Sequence, residues 1–151
     1  MQKSKFIALV LLLLIPIVFV SGCNRKPEPY TPDIELHLSE NPINVISGQL
    51  SSKTEILTVI KRDSEEIPVI CLIKFEPSDK EDVYATQDST PLNEQETDEL
   101  RYENQQYPIY FRVFARTKGN QTSAGYYINI SAYCNETFVT SEILNVNVEI
   151  S

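Results

Sequence analysis

The chain has 151 residues, 42% of them apolar, a formal net charge of −8 and three cysteines, room for one domain that buries its own core without a metal. Taking Lys3 and Lys5 from the 13 basic residues leaves 11 against 21 acidic ones beyond position 22, a balance of −10. That excess of acid excludes nucleic-acid binding, which needs a basic face to displace counterions, and disfavours lying flat on anionic lipid.

The first element is a targeting segment, residues 1–22. Lys3 and Lys5 give it a basic start, and Phe6 to Val20 is an apolar run broken only by Pro16. As a helix those fifteen residues reach about 22 Å, short of a hydrocarbon core of about 30 Å. The length suits the core of a secretory leader. The run ends in Val20-Ser21-Gly22-Cys23: an aliphatic residue, two small ones, then a thiol. This resembles the lipobox of prokaryotic lipoproteins. The resemblance implies that Cys23 is alkylated with a diacylglycerol and becomes the new N-terminus, tied to the membrane by its lipid. The alternative is an uncleaved apolar anchor with Cys23 a bystander, which Arg25 and Lys26 beyond the run would suit. Either way the remainder faces outward.

Residues 23–32 carry Pro27, Pro29 and Pro32. Their spacing forbids helix and favours extended chain, a short stalk.

From residue 33 the period is two. Ile34, Leu36 and Leu38 alternate with Glu35 and His37 before Asn41-Pro42 interrupts; Ile43 to Ile46 follows and stops at Ser47-Gly48. Glu55 to Lys61 reads as a strand whose inward face the pattern does not assign. After a charged turn at 62–66, Ile67 to Phe75 is nearly all apolar, as a central strand would be. Further on, Tyr107, Ile109, Phe111, Val113 and Ala115 share one face. Tyr126, Ile128, Ile130, Ala132 and Cys134 share another, and Leu144, Val146, Val148 and Ile150 a third. No stretch offers an amphipathic helix of useful length.

About seven short strands in roughly 120 residues predict an all-β chain folded as a single antiparallel sandwich over residues 33–151. Gly48, Glu55 to Lys61 and Ile67 to Phe75 look like strands A′, B and C of immunoglobulin-like modules on prokaryotic surfaces, cell-adhesion-related domains among them. Gly125 to Ile130 followed by Leu144 to Ile150 looks like their closing F–G hairpin. The chain departs from that pattern at 76–106, a long acidic insert in place of a compact D region.

Within that resemblance Cys71 lies early in strand C and Cys134 ends strand F, antiparallel neighbours. Both share parity with an apolar face, so the thiols meet at one level of the core. A structural disulfide is expected; two buried free thiols are the alternative.

The remaining chemistry is sparse. His37, the only histidine, alternates outward beside Glu35, so no His-based catalytic or zinc centre assembles, and no glycine-rich phosphate loop exists. No cofactor pattern is present. In the acidic insert Asp79, Glu81, Asp82 and Asp98 are weak candidates for a calcium site, against the plain reading of a solvated charge run. Asn120, Asn129 and Asn135 each head an N-x-S/T sequon, glycan acceptors if the host glycosylates its surface, chance occurrences if it does not. Tyr110, Phe114, Tyr127 and Tyr133 point outward, as an aromatic patch across neighbouring strands E and F or as side chains covered by the insert. These features imply a non-enzymatic binding or structural module of the envelope with a protein or glycan partner. The alternatives are an accessory lipoprotein subunit of a transport or assembly complex and, with least support, a hydrolase.

Overall fold

Alternation of inward and outward side chains builds every long element of the chain. The structure is a computed structural model that describes residues 27–151. The leader, Cys23 and the first part of the stalk lie outside the described residues. One compact unit spans Thr31–Ser151.

Its strands are β1 (Ile34–Leu38), β2 (Ile43–Ile46), β3 (Gln49–Leu50), β4 (Glu55–Lys61), β5 (Cys71–Pro77), β6 (Val83–Gln87), β7 (Thr90–Pro91), β8 (Glu94–Glu96), β9 (Gln106–Ala115), β10 (Ser123–Cys134) and β11 (Thr137–Glu149). They form two sheets. One has the order β1-β4-β9-β6-β7, with β3 also on β9; the other runs β2-β11-β10-β5-β8. The described residues contain no helix. The chain is an all-β, immunoglobulin-like sandwich.

The inner faces are those the alternation marked. Leu57, Val59, Ile109, Phe111 and Val113 from the first sheet meet Ile73, Phe75, Ile128, Ile130, Leu144 and Val146 from the second, all buried. Phe75 and Phe111 touch edge to face across the gap, centroids 5.5 Å apart. Burying each ring contributes about 1.5–3 kcal/mol, and their contact geometry adds to it.

The number of strands exceeds the expected seven or so for two local reasons. Pro42 has no amide to donate, so the first strand breaks there and its continuation crosses to the opposite sheet. There β2 pairs with β11 in parallel, the one departure from an antiparallel sandwich. The acidic segment 76–106 is not a loose insert. Val83 and Ala85 point inward from β6, which pairs with β9, while β8 extends the other sheet beyond β5.

Two inward assignments need correction. Ile67 and Ile70 are exposed because Pro68 cannot join a ladder. Val69 alone makes a bridge, to Leu100, and the strand proper starts at Cys71. Ile150 lies past the end of β11 and is also exposed. The unassigned face of β4 resolves unexpectedly: Glu55, Leu57, Val59 and Lys61 all turn inward.

Candidate functional site

Cys71 and Cys134 lie directly opposite each other on β5 and β10, Cα atoms 4.4 Å apart, joined as a disulfide. Both are buried. Covalent closure of a loop with a sequence separation of 63 stabilises by roughly 4 kcal/mol in the chain-entropy account.

The same pole of the sandwich holds a buried cation that the sequence pattern did not reveal. Lys61 ends β4 facing inward, with a side chain 0% exposed. Its ammonium donates to Asp63 Oδ1 at 2.6 Å, to the Asp63 carbonyl at 3.3 Å and to the Glu65 carbonyl. Three donors meet three acceptors, the condition under which a buried ammonium is tolerated. Asp63 in turn accepts from the amides of Asp33 and Glu65, so one carboxylate ties the first strand to the turn after β4.

At the other end of β4, Glu55 is buried beside Ser39, whose hydroxyl donates to Glu55 Oε2 at 3.3 Å. Burial raises its pKa, and the nearby Glu40 raises it further; the Ser39 bond and Lys53 oppose both.

Two of the four calcium candidates, Asp79 and Asp82, are paired with the chain's own cations, while Glu81 is exposed beside them. Arg116 Nε donates to Asp82 Oδ1 at 2.7 Å, and Lys118 reaches Asp79 and Asp82 Oδ2. The bonds from Lys118 and Arg116 hold the carboxyls of Asp79 and Asp82 below their usual range. The same bonds raise the pKa values of Arg116 and Lys118. Tyr126 donates to the Arg116 carbonyl at 3.0 Å, and burial raises its pKa. Asp98 sits in the segment that Leu100 bridges to Val69, away from this cluster. Among the described residues no three His, Cys, Asp or Glu side chains converge as a metal site would require.

Of the two readings of the outward aromatics, the patch across neighbouring strands does not form. Tyr110 and Phe114 stand on β9 in one sheet, Tyr127 and Tyr133 on β10 in the other, because the connection between these strands crosses the sandwich. Phe114 is stacked under Tyr84 of the former insert at 5.0 Å, so the insert covers it. On the opposite outer face Tyr133 meets Phe138 at 5.8 Å, with the Lys74 ammonium 5.0 Å from its ring centre.

The sequons differ in setting. Asn120 and Asn135 are exposed in turns. Asn129 is mid-strand on β10, and its amide donates to Glu76 Oε2 and Ser131 Oγ. His37 is exposed on β1. A shallow cleft of about 320 Å³ lies beside β9, lined by Thr54, Thr86, Tyr110 and Arg112 among others. The Arg112 guanidinium there is held by the Ser51 carbonyl.

No known family's sequence pattern matches the chain, and no curated protein matches it. Solved structures do. Native alpha-2-macroglobulin from Escherichia coli, from domain MG7 to the C-terminus, is similar with a TM-score of 0.54 at 13% identity, over 80% of this chain and 17% of that one. The CARDB domain of PF1109 from Pyrococcus furiosus gives 0.51 at 17%, over 80% and 97%. The periplasmic chaperone SfaE gives 0.50 at 12%, over 78% and 58%. The chain thus spans just over half of the chaperone and a small part of the macroglobulin. Identities this low establish the shared sandwich and nothing of the neighbours' activities.

Proposed function

We propose that this chain is a lipid-anchored, extracytoplasmic module of the cell envelope that binds or supports a surface partner, protein or glycan, without turning over a substrate. Residues 1–22 are its leader, 23–32 its tether and 33–151 the presented domain. The observation that carries this reading is the use of the three cysteines. Cys71 and Cys134 are bridged, as suits an oxidising compartment. That leaves Cys23 as the remaining cysteine, at the one place where an apolar run ends in small-small-Cys. Kinship of fold with a periplasmic chaperone is in keeping with that address. The acidic exterior supports solubility outside the cell and speaks against nucleic acid.

The test is metabolic labelling with a tagged fatty acid, comparing wild type with Cys23→Ala. Label in the wild type, with unlabelled, membrane-released Cys23→Ala, supports the proposal. A variant that stays membrane-bound, from a wild type that takes no label, means an uncleaved anchor. Crosslinking on intact cells then identifies the partner, including any envelope complex the domain docks on.

A further inference from the structure

We infer that Asn135 is the acceptor of an N-linked glycan whose first sugar packs on the rings of Phe138 and Tyr133. The inference rests on the export half of the reading above and is independent of the lipid. Three observations converge on the β10–β11 turn.

The first is access. Asn135 and Glu136 form a two-residue turn with φ of 52° and 63°, the tight hairpin geometry that throws its side chains clear of the sheet. The Asn135 amide makes no hydrogen bond among the described residues, whereas Asn129 spends its amide on Glu76 and Ser131 between two paired strands.

The second is the sequon's hydroxyl. Thr137 is exposed, and its Oγ1 lies 3.5 Å from the backbone carbonyl of Asn135, so the sequon's hydroxyl stands at the same turn as the acceptor residue.

The third is an exposed ring at the same place, Phe138, beside a Tyr133 whose ring the Lys74 ammonium approaches to 5.0 Å. Phe138 is 52% exposed although it sits edge-on to Tyr133, two residues before the acceptor. Exposed rings of this kind mark a contact surface. A pyranose joined to Asn135 lays its C–H face on them, where the quadrupole attracts the C–H bonds. Asn120 lies in an exposed turn with no aromatic residue within five positions of it along the chain.

The transfer needs a polyisoprenyl phosphate- or pyrophosphate-linked sugar donor. Asn135 Nδ2 attacks C1 of the sugar and forms the C–N bond. The C1–O bond to phosphate breaks, its electron pair leaves with the lipid phosphate, and one amide proton passes to a base of the transferase.

The experiment is peptide mass mapping of the full chain purified from its own host's membranes, with Thr137→Ala, Asn129→Gln and Phe138→Ala variants. A sugar increment on the Asn135 peptide, lost in Thr137→Ala and kept in Asn129→Gln, is the expected result. Thermal melts should show Tm about 2–4 °C lower without the glycan, a difference that shrinks in the Phe138→Ala background. Material from a host lacking the donor should show no effect of Thr137→Ala. A bare Asn135 peptide, or a glycan confined to Asn120 or Asn129, overturns the inference. If that bare chain still carries lipid on Cys23, the proposed function stands; if it is cytosolic and unprocessed, both fall.

Discussion

The ammonium of Lys61 and the carboxylate of Asp63 meet at 2.6 Å, with the lysine shielded from solvent. Truncating Asp63 leaves a buried cation short of its counter-charge, and such breaks cost about 3–5 kcal/mol. Lys61→Met removes the charge together with its desolvation, so it should cost clearly less than Asp63→Ala. Urea unfolding at constant m is the measurement. A larger loss in Lys61→Met would mean that the pair stabilises by attraction rather than by satisfying a charge already buried.

Reduction should weaken the fold on the same scale as loss of Asp63. The Cys71–Cys134 bridge closes a long loop, so reduced protein, or the double Cys→Ala variant, should lose about 2–5 kcal/mol. Urea midpoints with and without reductant report the difference. Alkylation of the unreduced, denatured domain should find neither of these thiols.

Asp82 and Glu55 should leave opposite signatures in stability against pH. The Asp82 pKa is lowered, so its contribution is present above the ordinary carboxylate range and lost as pH falls through the depressed folded value. Asp82→Asn should lower Tm at neutral pH, and the gap should close on acidification below that range. The Glu55 pKa is raised, so the folded state holds its proton longer and stability falls as pH rises through the raised value. Glu55→Gln should therefore raise Tm at neutral pH, with the gain vanishing in acid. Paired melts across pH 3–8 check both signs, the range spanning ordinary carboxylate values.

Calcium should leave the melting temperature unchanged. Lys118 and Arg116 already occupy Asp79 and Asp82, and a cation would have to displace them. A rise in Tm on titration would show that the carboxylates rearrange around the ion.

What the sequence reveals and what it conceals follow one physical line. Alternation exposed the faces of β9, β10 and β11, because each has one side in the core. Parity and strand order placed Cys71 against Cys134. Lys61 stayed hidden, since nothing local distinguishes an inward lysine from a solvated one; its partners come from the turn that follows. Tyr110 and Tyr127 can be read as one surface because β9 and β10 are consecutive in sequence, whereas the connection between them changes sheet. In the acidic stretch, Val83 and Ala85 carry a two-residue inward pattern too brief to stand out among the carboxylates. Ile70 reads as core by composition, but Pro68 removes the amide that a longer strand would need.

The central claim is that biosynthesis exports this sandwich and ties it to a membrane at Cys23. Mass spectrometry of the N-terminal peptide from the native membrane fraction tests it most directly. The account predicts a peptide beginning at Cys23 and carrying a diacylglycerol. An intact Met1 on a cytosolic chain with free Cys71 and Cys134 would contradict it.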